Sequence, residues 1–299
     1  MSDPSPSMPF DRALLDRRRE RWFTAASDDS AAFLMKAVAA ELTERLAVVE
    51  RRFAVAVDLA GHRGEMAAGM IASGRCDTVL RIERMPFLLD GAELAVVADE
   101  ECLPLAPESV DLVVSCLSLQ FVNDVPGMLA QIRRALRPDG LFLAAFLGGE
   151  TLSELRTALL HAESEITGGV SPRVAPFAEI REAGGLLQRA GFALPVGDVD
   201  RLTVRYDNLF ALAADIRAMG AANILQERSR KPAGRRLFLR AAEIYAERFA
   251  DADGRIRATF DVMHLSGWAP HENQQKPLRP GSAKASLAAA LNDRSSDLS

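Results

Sequence analysis

The chain has 299 residues, 48% of them apolar, enough for one large core, since single cores saturate near roughly 250 to 300 residues. A formal charge of -5 and a pI near 5.6 argue against a nucleic-acid or other polyanion partner, for which a pI above about 9 is the usual footprint. Three scattered cysteines, Cys76, Cys102 and Cys116, fit neither a disulfide framework nor a CxxC metal site, and no apolar run approaches the roughly 18 residues of a membrane span.

Residues 1–9 are rich in proline and serine and are expected to stay disordered. They lack the basic start and apolar stretch of a secretory signal, so the expected location is the cytoplasm. From Phe10 to about Leu46 the apolar residues recur at helical spacing, with Phe33, Leu34, Ala37, Val38, Leu42 and Leu46 on one stripe, which predicts an amphipathic helix feeding a strand. "FAVAVDL" (53–59) is a short β-branched run followed by a glycine-bearing turn and a helix, "GEMAAGMIAS", the opening of a βα unit. "DTVLRIE", "AELAVVADE", "SVDLVVSCLSL" and "GLFLAAFLG" read as strands two to five. Between the last two, "DVPGMLAQIRRALRPDG" reads as a helix closed by a proline and a glycine. Apolar strands alternating with helices predict a doubly wound, mainly parallel α/β sheet to about residue 150.

Beyond it, helices are expected at 151–166, 177–192, about 209–220 and 233–249, with strand-like runs at 194–206 and 256–269. The expected organisation is a disordered stretch 1–9, one domain over 10–269 with its cofactor half at about 50–150, and a polar tail 270–299.

Ligands of such sheets bind at the carboxyl ends of the strands. Asp58 ends the first, before Gly61 and Gly64, where a glycine turn lets backbone approach a ligand closely. Glu83 ends the second, where an ionised carboxylate accepts both hydroxyls of a ribose. Asp99, followed by Glu100, ends the third, in reach of an adenine amino group, and Ser115 to Gln120, with Leu117 among them, end the fourth. Each signal is weak alone, because a strand-ending acid is more often a solvated cap than a ligand. Their order is the layout of an adenosine site.

"VDLAGHRGEMA", "ADEECLPLAPESVDLVVSCLSLQFVND" and "QIRRALRPDGLFLAAFLGGETLSELR" resemble the successive motifs of class I S-adenosylmethionine-dependent methyltransferases, in the branch that includes malonyl-carrier-protein methyltransferases. "FDRALLDRRRERW", "GGVSPRVAPF", "RAMGAANIL" and "GWAPHENQQKPLRPGSA" extend the resemblance across nearly the whole chain to the mitochondrial complex I assembly factor 5 family and its bacterial relatives. The resemblance implies a seven-stranded Rossmann-like sheet with N-terminal helices and a helical insertion after the fifth strand. It implies S-adenosylmethionine held by Asp58, Gly61, Gly64, Glu83, Asp99, Glu100, Ser115 and Leu117.

The family's first motif runs D-L-G-C-G-x-G, whereas this chain reads Asp58-Leu59-Ala60-Gly61-His62-Arg63-Gly64. A Cβ where backbone must turn left-handed costs on the order of 1 kcal/mol, and an imidazole also takes space. One reading is a site shifted but retained; the other is a pocket filled by His62 and Arg63, with the fold kept for a partner.

Trp22, Gln120, Glu150 and Arg156 are the candidates to face an acceptor, Arg156 because its planar donors match an anion's two oxygens. The run Arg17, Arg18, Arg19 and Arg21 reads as a solvated helix face. His264 and His271 lack metal-ligand spacing, and no metal site is expected. The expected function is that of a methyltransferase-like protein acting on a small-molecule or carrier-protein acceptor. The resemblance also implies, as alternatives, arginine hydroxylation or non-catalytic assembly on a respiratory complex I subunit.

Overall fold

A computed structural model describes residues 8–25 and 33–274. The expectations for the first seven residues and for 275–299 lie outside the described residues.

Two helices open the chain, α1 (Arg12–Ala25) and α2 (Phe33–Ala47). The helical spacing read from Phe10 to about Leu46 is realised as these two helices, which pack on different parts of the molecule. The sheet follows, as β1 (Phe53–Leu59), α3 (Glu65–Ala72), β2 (Cys76–Glu83), β3 (Ala95–Val97), β4 (Val110–Cys116), α4 (Val125–Ala135) and β5 (Leu136–Gly148). Helices α5 (Ser153–Thr167) and α6 (Ile180–Arg189) lead to β6 (Ala193–Tyr206), and α7 (Leu209–Ala218) and α8 (Arg235–Phe249) lead to β7 (Ile256–Trp268).

The seven strands run in the order β3-β2-β1-β4-β5-β7-β6. β1 to β5 are parallel, and β7 turns antiparallel between β5 and β6. The chain order reverses between β1 and β4, which puts the topological switch point beside Asp58 and Ser115.

Side-chain alternation explains the layers. Along β5, Leu141, Leu143, Ala145 and Leu147 join one apolar cluster with α2, α5 and α8, while Phe142, Ala144 and Phe146 join another with α4 and α6. β4 is buried at all seven positions, as a central strand covered on both faces must be.

Two boundaries differ from expectation. α4 stops at Ala135 rather than running to Gly140, because Pro138 has no amide for the helical ladder and disfavours helix in the residue before it. Its start is better specified: the Asp124 carboxylate accepts from the Gly127 amide at 2.8 Å, and Pro126 sits in the first turn. β3 is only three residues long and exposed, so Asp99 and Glu100 follow the strand instead of belonging to it. Among the described residues no helix is long and apolar enough to cross a membrane.

Candidate functional site

The parallel strands deliver their carboxyl ends to one edge of the sheet, and α1 lies across that edge. The segment before α1 is sewn down on both sides. Phe10 donates its amide to Asn123 Oδ1 (2.8 Å), Asp11 donates to the Ile224 carbonyl (2.8 Å), and Arg228 pairs with Asp11 (2.9 Å). At the far end of the helix the Phe23 ring meets His62 edge-on at 5.8 Å, and Arg63 donates to the Phe23 carbonyl at 2.6 Å. The helix thus spans from the β4–α4 loop to the glycine turn after β1.

Its inward face corrects one expectation. Arg19 is buried at 5% exposure, with Arg12 and Leu15 on the same face, because residues three, four and seven apart share a helix side. Arg17 and Arg21 do remain exposed. Arg12 pairs with Asp99 (2.8 Å), Glu100 (2.5 Å) and Glu101 (3.0 Å), and Arg84 pairs with Asp16 (2.6 Å). The Arg19 guanidinium sits 5.0 Å from the centre of the Phe121 ring. Sequence reasoning passed over Arg12 and Arg19 as ligand-edge residues; their heptad spacing around Leu15 was the available signal.

Beneath the helix, the expected cofactor residues converge. Asp58 has a fully buried carboxylate whose oxygens make no well-formed hydrogen bond among the described residues; Arg81 Nε is 3.7 Å away. Burial pushes its carboxyl up to about 7, with Arg81 opposing. Glu83 accepts the Arg84 amide on Oε1 (2.9 Å), while its buried Oε2 has no described partner. Burial raises the Glu83 carboxyl too, against the pull of Arg19. Asp99 is different: despite the upward push of burial, the Glu101 amide and Arg12 hold its carboxyl below the ordinary value. Ser115 is fully buried, its hydroxyl 2.9 Å from that of Ser118.

The altered turn carries strain. Ala60 and His62 stand at φ 55° and 54°, the left-handed region that glycine adopts freely, and Leu117 after β4 stands at 52°. Gly61 has no freedom to be larger, since a Cβ there would fall 2.0 Å from Asp58 Oδ1. The His62 imidazole is buried and faces the Leu117 backbone across the switch point, and its Nε2 has no described partner. Burial, then Arg19, hold it neutral, well below the ordinary histidine value.

Beside this cleft lie two apolar cavities that share Phe10, Gln120, Leu147 and Phe177. One, of about 180 Å³, runs toward α4 and α6; the other, of about 100 Å³, runs toward Leu155, Arg173 and Asn223. Of the acceptor candidates only Gln120 lines them, its Oε1 buried without a described partner. Trp22 stands half-buried, 5.9 Å from the Arg217 guanidinium, and Glu150 is exposed, its amide held by Asp261 (2.9 Å). Arg156 braces the Thr151 and Ala175 carbonyls, both at long range.

The sequence pattern of the methyltransferase domain family matches residues 58–144. The chain is 36% identical to the mitochondrial arginine-hydroxylase NDUFAF5 of Danio rerio, over 93% of this chain and 88% of that one. It is 33% identical to a malonyl-[acyl-carrier protein] O-methyltransferase of Laribacter hongkongensis, over 90% of this chain and 92% of that one. Its fold matches the YcgJ protein from Bacillus with a TM-score of 0.53 at 15% identity, over 78% of this chain and 98% of that one.

Proposed function

The chain belongs to the NDUFAF5 family and carries a methyltransferase-like domain, and from that premise we propose that it binds S-adenosylmethionine at the carboxyl ends of β1 to β4, beneath α1. The observation that carries this reading is the convergence there of buried polar atoms with no hydrogen-bond partner among the described residues: both Asp58 oxygens, Glu83 Oε2 and Gln120 Oε1. Buried polar groups left unpaired cost about 1 to 3 kcal/mol each, and the same edge leaves donors open too, Arg19 Nε and Nη2 among them, so a ligand that carries both donors and acceptors is the economical explanation. The residues fit the group: carboxylates for hydroxyl and ammonium donors, and Gly61 and Gly64 where backbone must come close.

In this reading Glu83 holds the ribose, Asp99 and Glu100 the adenine side, and Asp58, Ser115 and Leu117 the methionine side. Arg12 and Arg19 neutralise the acids while the site is empty of ligand charge, and α1 excludes water once closed. The bound cofactor supplies a methyl group already activated on a sulfonium, so the protein's task is placement of an acceptor. The apolar lining of the adjoining cavities suits an acceptor delivered by a protein, whether a carrier-protein thioester or a side chain of a respiratory complex I subunit. The hydroxylase alternative rests on the relatives' name. Free Cys76, Cys102 and Cys116 support a reducing location such as the cytoplasm.

One observation favours a second reading, in which the fold serves partner binding alone: His62 reaches across the switch point toward Leu117. Titration calorimetry with S-adenosylmethionine and S-adenosylhomocysteine separates the two. The expected result is micromolar binding by the native protein and about fivefold tighter binding by His62→Gly, since the ring's contacts with Phe23 and Leu117, worth about 1 kcal/mol, need no longer be broken. Binding by His62→Gly alone would favour the second reading, and binding by neither would remove the cofactor from the account.

A further inference from the structure

On the α2 side of β6 and β7, Glu41, Asp200 and His264 bring one oxygen, one oxygen and one nitrogen within 4.8 Å of one another. We infer that these three residues bind one divalent transition-metal cation, at a place separate from the strand-end cleft. Glu41 comes from α2, Asp200 from β6 and His264 from β7. Asp198 lies directly opposite His264 in the antiparallel ladder, and Asp200, two residues on, shares its face.

His264 carries the inference. Its side chain is 97% buried by virtue of 3% exposure, and neither ring nitrogen has a well-formed hydrogen bond among the described residues. Nε2 nevertheless aims between two carboxylates, 3.2 Å from Glu41 Oε1 and 3.4 Å from Asp200 Oδ2. Burial and the nearby Arg45 guanidinium keep the imidazole below its ordinary value, against the pull of Asp198 and Asp200. A buried imidazole nitrogen without a hydrogen-bond partner, set between two carboxylate oxygens, is the arrangement in which histidine ligates metals.

The charge of the cluster points the same way. Three carboxylates, Glu41, Asp198 and Asp200, face one guanidinium, Arg45, which leaves two negative charges for a dication to balance. Arg45 is gripped by Asp198 through two contacts of 2.7 and 2.8 Å. Its further contacts to Glu41 Oε1 and Asp200 Oδ2, at 2.8 and 2.9 Å, are the ones a metal replaces, and the Asp198 grip then retains it as a neighbour that orients the ligands. One imidazole with two carboxylates is the donor set of zinc, manganese or iron, not of calcium or magnesium, which take oxygen.

The test uses untagged full-length protein freed of metal by a chelator and titrated with Co²⁺, whose visible spectrum distinguishes nitrogen and oxygen ligands from thiolates such as exposed Cys102. The expected result is one equivalent bound with no thiolate signature and a raised melting temperature. His264→Gln and the half-exposed Asp200→Asn should each weaken binding by at least about 10- to 100-fold, the loss that follows even from removing a supporting partner. Asp198→Asn, which keeps the three ligands, should still bind. No stoichiometric binding, a thiolate spectrum, or equal affinity in His264→Gln and Asp200→Asn would overturn the assignment.

Discussion

Glu83→Ala is expected to weaken S-adenosylhomocysteine binding by at least about 100-fold. The carboxylate sits at the end of β2 with one oxygen accepting from the Arg84 amide and the other buried with no described hydrogen-bond partner, and the proposed reading gives it the ribose. Hydrogen bonds to charged groups are worth about 1.5 to 3 kcal/mol each, so loss of both ribose hydroxyl contacts removes about 3 kcal/mol or more, which is about two decades of affinity. Glu83→Gln keeps the shape and one acceptor and should lose roughly a tenth as much. Calorimetric titration of the native protein and both variants, with melting curves to establish folding, reads the difference. Unchanged affinity in the alanine variant would place the ligand elsewhere.

Asp58→Asn should remove a large pH dependence of stability from the ligand-free protein. The Asp58 carboxyl stands at about 7 in the folded state against an ordinary value of 3.8. The folded protein therefore holds this proton more tightly than the unfolded chain does. The stabilisation is complete below about 4 and is lost as pH rises toward 7. A shift of about three units at 1.36 kcal/mol per unit is on the order of 4 kcal/mol, a large share of the 5 to 15 kcal/mol typical of a native domain. Urea unfolding from pH 4 to 8 should show the native protein losing stability relative to Asp58→Asn across that interval, with the variant the more stable of the two at pH 8. Parallel profiles would mean that Asp58 is ionised and compensated throughout.

The strands were legible because burial on both faces writes continuous apolar runs, and β1, β2, β4 and β5 fall where those runs stand. The convergence of the strand ends was legible for the same reason: a strand's end fixes its last side chains, so Asp58 and Glu83 arrive where chain order puts them. Arg19 was not legible, because a run of arginines looks like a solvated face until the helix is laid across the acids of neighbouring strands. The end of α4 was written in Pro138 and Gly140, and the helix stops a little before them, at Ala135. The Glu41, Asp200 and His264 cluster has no sequence signature at all. Its members come from three elements brought together only by the packing of α2 on β6 and β7, and spacing arguments see only neighbours in the chain.

Hydrogen–deuterium exchange with and without S-adenosylhomocysteine tests the central claim most directly, because it reports where a ligand sits as well as whether one binds. The account predicts added protection confined to the turn at 60–64, to 83–85, to 99–102 and to 115–118, together with α1, which lies across that edge. Protection absent everywhere at saturating ligand, or confined to the β6 and β7 edge, would contradict it.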